Sequence, residues 1–371
     1  MSMNHFSDLD LHFMRRALAL AERGLYTTMP NPRVGCVIVK DGEIVGEGAH
    51  VRAGEHHAEV DALRQAGEKA RGADVYVTLE PCSHYGRTPP CANALIQAGV
   101  KRVVAAMHDP NPEVSGSGLK LLQAAGIQTE HGLMQPEAQE LNPGFIKRMT
   151  QGMPYVRSKV AASLDGRTAL SNGISQWITG EAARADVQHW RARSCAILTG
   201  SSTVRIDDPM MTVRSLDIGR QPLRVVADSW LGISPHARIL QGGNALVVYA
   251  SDPQHKAAAL RDAGVELLHL ADASGRVCLK SLLRQLATRG INEVMVEAGQ
   301  ELNGVLLQQQ LIDECLFYYA PVLLGSDARG MFATPELEVM AQRTELDIVD
   351  LQVVGRDIRV RARPRRVTES T

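Results

Sequence analysis

Apolar residues at Leu11, Met14, Leu18 and Ala21 recur at helical spacing behind Ser7. The pattern predicts an amphipathic helix with Ser7 as its N-cap and Gly24 as its stop. The period then changes. The stretch RVGCVIVKDGEIVGEG reads as a β-hairpin turning at Asp41-Gly42. A helix from about His57 to Ala70 precedes the strand ADVYVTL, the helix CANALIQAG leads into the strand KRVVAAM, and GLKLLQAAG is a further helix. This alternation predicts a three-layer α/β/α domain around a mostly parallel sheet.

Between about 145 and 153 the pattern breaks, in a stretch (NPGFIKRMTQGMP) with two prolines and two glycines. Strand and helix signals then begin afresh, so we expect one domain over 1–147 and another over 148–371. In the second half YVRSKVAASL, CAILTG, LRVVAD, ALVVYA, NEVMVEAG and ECLFYYAPVLLG read as strands. EAARADVQHWRARS, HKAAALRDAG and LKSLLRQLATRG read as helices. Near the end, DIRVRARPRR alternates Ile358, Val360 and Ala362 with arginines, which predicts an edge strand with a solvated basic face.

Composition narrows the class. A chain of 371 residues favours two domains, and 44% apolar with 22% charged residues describes an ordinary globular protein. The net charge of −1 and the 4% aromatic content provide no basic stripe with interleaved rings, which argues against nucleic acid. No apolar run reaches the length of a membrane span, and the N-terminus lacks a secretory pattern. Six cysteines are too few for a disulfide scaffold, and Cys36, Cys195, Cys278 and Cys315 lie in apolar runs as buried small hydrophobes. The expected compartment is the cytoplasm.

The candidate chemistry begins in GEHHAEVDAL and EPCSHYGRTPPCA. His57, Cys82 and Cys91 supply one imidazole and two thiolates, a catalytic zinc set with the fourth position left for water. Glu59 would shuttle protons between that water and a leaving nitrogen. The set matches the nucleobase-deaminase signature H-x-E…P-C-x-x-C, except that eight residues separate the cysteines. Pro89-Pro90 suit a first helical turn, which would deliver Cys91 at a helix start. Residues i and i+2 of a helix point about 200° apart. His57 and Glu59 therefore share a pocket only if His57 stands at the helix entrance. His56 competes as a ligand, but the register to Glu59 favours His57.

PNPRVGCVIV, GAHVRAGEHHAEVDAL, TLEPCSHYGRTPPCANALIQAGVKRVV and DPNPEVSGSGL resemble the deaminase domain of the bifunctional deaminase–reductases of riboflavin biosynthesis, a cytidine-deaminase-like fold. The eight-residue loop is that family's own variant. The resemblance implies substrate contacts from Asn31, His50, His84 and Arg87. Arg87 suits a phosphate through its planar donor fork.

The second half has no intact G-x-G-x-x-G. SKVAASLDGRTA, NGISQWITGEAARADVQHWRA, LTGSSTVRIDDPMMTVR and VMVEAGQELNGVLL are each weak signals. In this order they resemble the family's reductase half, whose fold is similar to dihydrofolate reductase. By that resemblance the cofactor is NADPH, lying near Ala161, Trp177, Thr203, Asp207 and the segment of Gly299, Gln300, Glu301, Leu302, Asn303, Gly304 and Val305. A strand, then Gly299, then a helix start also suits a cofactor phosphate in its own right. The substrate would be held by Lys159, Ser175, Arg191, Met211, Arg214 and Glu297. Ser175, Arg191 and Arg214 are expected to clamp its phosphate, and Lys159 or Asp207 to supply a proton.

The implied activity is zinc-dependent deamination of a diaminohydroxyphosphoribosylaminopyrimidine, followed by NADPH-dependent reduction of the ribosyl chain of 5-amino-6-(5-phosphoribosylamino)uracil to ribityl. The partner is then a small phosphorylated pyrimidine, and a homodimer is expected through the last strands. One alternative is a zinc deaminase of nucleic-acid bases with a C-terminal binding module. Another is a zinc site that only staples a loop, which a set of three ligands disfavours.

Overall fold

Ser7 caps the first helix as its sequence predicts. Its hydroxyl accepts from the Asp10 amide at 3.1 Å, and the Asp10 carboxylate accepts from the Ser7 amide at 2.8 Å. The computed structural model describes residues 6–83, 90–112 and 114–365, and the chain divides into two compact units between Met153 and Pro154.

The first unit runs α1 (Asp8–Ala21), β1 (Gly35–Lys40), β2 (Glu43–Ala49), α2 (Ala58–Ala66), β3 (Asp74–Val77), α3 (Cys91–Ala98), β4 (Arg102–Ala105), α4 (Ser117–Ala124), β5 (Gln128–His131), α5 (Gln135–Leu141) and α6 (Pro143–Gln151). Its sheet has the order β2-β1-β3-β4-β5. β1 is antiparallel to β2 and β3, whereas β3, β4 and β5 are parallel. Val37, Val75 and Val103 from the strands meet Met14, Leu95 and Leu122 from the helices in the core. The parallel strands place the segments after β3 and β4 on one edge, where α/β sheets bind ligands.

The unit extends beyond the expected boundary at 147 because α6 continues to Gln151. Asn142, just before it, hooks Arg33 reciprocally, accepting from its amide at 2.8 Å and donating to its carbonyl at 2.9 Å.

The second unit contains β6 (Tyr155–Ser163), α7 (Glu181–Arg193), β7 (Ala196–Gly200), α8 (Ser201–Asp207), β8 (Leu223–Ala227), β9 (Ala245–Tyr249), α9 (Ala257–Asp262), β10 (Glu266–His269), α10 (Leu279–Thr288), β11 (Glu293–Val296), α11 (Gln300–Gln308), β12 (Glu314–Ala320), β13 (Leu346–Val354) and β14 (Asp357–Pro364). The sheet order is β10-β9-β8-β7-β11-β6-β12-β14-β13, parallel from β10 to β12 and antiparallel beyond.

Two expectations are corrected here. β14 is not an edge strand, because β13 lies outside it. Nor is its basic run merely solvated. Arg359 bonds Asp186, Asp350 and Gln352, and Arg361 bonds the buried Glu314. Together with Arg157 and Arg193, these two guanidiniums lie 4.7–5.8 Å from the Trp190 ring.

Candidate functional site

His57 is the N-cap of α2, with an extended backbone of φ −74° and ψ 158°. That extended residue lets His57 line the same cavity as the buried Glu59, although residues two apart within a helix point about 200° apart. Cys91 is the first residue of α3, behind Pro90. Its amide points at the Cys82 sulfur at 3.3 Å. His57 Nδ1 stands 3.7 Å from Cys82 Sγ and 3.3 Å from Cys91 Sγ. All three ligand atoms lie within 4.8 Å of one another.

These spacings fit zinc. Bonds of about 2.3 Å to sulfur and about 2.0 Å to nitrogen put tetrahedral neighbours about 3.5 Å apart. Among the described residues this is the only such group of three. The hydrogen bond from Cys91, with further help from His57, holds Cys82 down at about 4, while the same contact and burial push Cys91 up.

Glu59 is buried, and burial first, then the negative Cys82 sulfur, pushes its carboxyl up to about 7. His50 is buried too, and burial lowers its basicity. Its Nδ1 donates to the His56 carbonyl at 2.9 Å, so Nε2 is left to accept from Asn31 Nδ2 at 3.1 Å.

Asn31, His50, His57, Glu59 and Cys82 all line one cavity of about 590 Å³. Glu55, Asp109, Asn111, Phe145 and Met149 also line it, and the sequence analysis missed them. Asp109 and Asn111 sit in a quoted motif, DPNPEVSGSGL, but nothing in their spacing singled them out. His84 and Arg87 lie outside the described residues.

In the second unit, β6 turns Lys159 and Ala161 toward its less buried face. Glu297 directly follows β11, the neighbouring strand. Lys159 Nζ is 3.5 Å from Glu297 Oε2. Arg191, from α7, donates to the same carboxylate through Nε at 2.6 Å and Nη2 at 3.0 Å. Its Nη1 reaches the Thr212 carbonyl at 3.1 Å, and Nη2 also contacts Met211 Sδ at 3.8 Å. Four of the five guanidinium donors of Arg191 are therefore engaged within the protein.

This differs from the expected phosphate clamp, since the Arg191 fork faces a carboxylate. Arg214 is exposed and its guanidinium holds no partner among the described residues, while Ser175 is half-buried.

The strand–Gly299–helix reading holds locally. Gly299 is the N-cap of α11, and a side chain there would meet open space. Further along α11 the side chains are internal. Asn303 is buried between Ser158 and the Ala298 carbonyl. Gly304 lies so close to the Ala333 backbone that a Cβ would stand 2.1 Å from its carbonyl oxygen. Thr203 and Asp207 lie on α8 just beyond β7, and Trp177 is exposed with Arg184 stacked 4.8 Å over its ring.

Known proteins share both halves. Residues 7–107 match the model of the cytidine and deoxycytidylate deaminase zinc-binding region, and residues 154–360 match that of the RibD C-terminal domain. The riboflavin biosynthesis protein RibD of Escherichia coli is 53% identical over 94% of this chain and 98% of its own. That of Bacillus amyloliquefaciens is 42% identical over 96% and 97%. Among solved structures, Acinetobacter baumannii RibD superposes with a TM-score of 0.90 at 50% identity, covering 96% of this chain and 99% of its own. A deaminase/reductase from Thermotoga maritima does so at 0.85 and 34%, with the same coverage. The match over the second half sets aside a nucleic-acid-binding module there. The chain belongs to the RibD family, the riboflavin biosynthesis enzymes that join a zinc-dependent deaminase to an NADPH-dependent reductase.

Proposed function

We propose that His57, Cys82 and Cys91 hold the zinc and that Glu59 moves the protons of the deamination. The observation that carries this reading is the imidazole and two sulfurs at near-tetrahedral spacing beside a buried carboxyl in a 590 Å³ cavity. Zinc held by these three residues would supply the Lewis acidity that lets water attack the amine-bearing ring carbon at neutral pH. Glu59 is placed to take a proton from the attacking water and to return one to the departing ammonia. Asn31 and the neutral His50 present a hydrogen-bonded pair to the pyrimidine. The substrate is the diaminohydroxyphosphoribosylaminopyrimidine.

In the second unit, NADPH supplies the hydride for reduction of the ribosyl chain. Gly299 and the start of α11 offer amides and the helix dipole to a cofactor phosphate. Arg214 and Ser175 take the substrate phosphate, and Arg191 fixes Glu297. Of the two candidate proton sources, Lys159 and Asp207, Lys159 is the one held by a second side chain, Glu297.

The chain forms a homodimer through β13. This edge strand exposes Ile348, Leu351 and Val353, an unprotected apolar edge that a second copy would cover. Charged substitutions at Ile348 and Val353 should halve the mass in sedimentation. The compartment is the cytoplasm, in keeping with six unpaired cysteines and no described helix long and apolar enough to cross a membrane.

Glu59→Gln tests the first site. It should keep zinc and stop ammonia release, while NADPH oxidation with supplied uracil substrate continues. Ammonia release at the wild-type rate would remove Glu59 from this role.

A further inference from the structure

Glu80 lies between the end of β3 at Val77 and Cys82, and its side chain is fully buried. Its two oxygens gather an unusual number of donors from one distant stretch. Oε1 accepts from the Gly118 amide at 2.8 Å and the Leu119 amide at 3.4 Å. Oε2 accepts from the Asp109 amide at 3.1 Å and the Gly116 amide at 2.9 Å, with His108 Nδ1 also at 3.1 Å. One carboxylate thus fixes both ends of the loop between β4 and α4. The same loop sends Asp109, Asn111 and Val114 into the wall of the deaminase cavity.

A second contact reinforces the first. Gly118 approaches the Pro81 carbonyl so closely that a Cβ would stand 1.9 Å from its oxygen. The loop is therefore latched to the Glu80 carboxylate by charge-assisted hydrogen bonds and to the Pro81 backbone by steric fit, immediately before Cys82.

We propose that Glu80 is a positioning residue for the deaminase, setting residues 108–112 and 114–118 where they wall the pyrimidine's cavity. This rests on the reading of the cavity as the deaminase site. Glu80 touches no ligand atom in this role. It acts through the loop, so its loss weakens substrate capture more than turnover.

Glutamine has the same size but only one acceptor oxygen. Whichever way it turns, its NH2 faces either the Gly118 and Leu119 amides or those of Asp109 and Gly116. In the full chain, Glu80→Gln should raise KM for the diaminohydroxyphosphoribosylaminopyrimidine about tenfold and change kcat less than about threefold, the size expected of a wall displaced by a fraction of an ångström. Zinc content and NADPH oxidation with the uracil substrate should stay at wild-type levels. Gly118→Ala, which keeps the carboxylate but forces the loop off Pro81, should shift KM in the same direction.

Three results would overturn the proposal: an unchanged KM in both variants, a fall in kcat alone, or loss of zinc, which would make Glu80 a support of the metal site. Wild-type protein assayed in parallel separates this from the reading beneath it. If wild type releases no ammonia, the deaminase assignment fails. If wild type is active and both variants match it, only the latch fails.

Discussion

Lys159 and Arg191 share one carboxylate, that of Glu297, with Lys159 Nζ at 3.5 Å and Arg191 Nε at 2.6 Å. Burial alone would raise the Glu297 carboxyl. The charges of Arg191 and Lys159 outweigh it and hold the group down at about 2, so it is ionised whenever the enzyme works. Glu297→Gln would leave Arg191 buried without its counter-charge, at a cost of about 3 kcal/mol. The expected outcome is a lower melting transition for the second unit and slower NADPH oxidation, with ammonia release unchanged. Scanning calorimetry beside both assays checks it.

Arg214 provides the contrast. It is exposed and its guanidinium holds no partner among the described residues, so removing the side chain disturbs no packing. Arg214→Ala should leave the melting temperature alone and raise KM for the phosphorylated uracil about tenfold or more, the loss expected of a charge-assisted phosphate contact. Steady-state kinetics of the reductase step decides this.

Glu314 gives a pH signature. Burial would raise its carboxyl, but Arg157 and then Arg361 bring it from the ordinary 4.5 to about 2. Because the folded-state value is the lower one, its stabilisation is complete above 4.5 and disappears as pH falls through about 2. The drop corresponds to about 3 kcal/mol. Wild type should therefore exceed Glu314→Gln in denaturant resistance at pH 7, with the gap closing between pH 4.5 and 2.

Gly48 on β2 supports the zinc site from behind. A Cβ there would stand 2.0 Å from the Ala58 carbonyl oxygen and 2.7 Å from the Ala62 amide, both backbone atoms of α2. Gly48→Ala should push away the helix start that carries His57 and Glu59. Zinc per chain should fall, and ammonia release should drop by about tenfold or more, with NADPH oxidation unaffected. Metal analysis and the two assays report each effect.

What the sequence made legible follows from distance along the chain. The Asp41-Gly42 hairpin and the His57 helix entrance are local, and backbone geometry dictates both. Cys82 and Cys91 were legible because thiolates beside an imidazole have few other uses. Glu80 was not, although it stands two residues from Cys82. A carboxylate before a proline looks solvated until donors some 30 residues away are seen to converge on it. The contact of Arg191 with Glu297 was hidden for the same reason, since the two lie 106 residues apart. β5 and β10 escaped notice as short strands with exposed ends, and β13 because its apolar residues face outward.

The zinc environment of the full-length enzyme, read by X-ray absorption at the metal's edge, tests the account most directly. Two sulfurs, one imidazole nitrogen and one light atom from solvent are predicted, with one sulfur lost in Cys91→Ser. Four protein ligands, or a spectrum indifferent to Cys91, would contradict it.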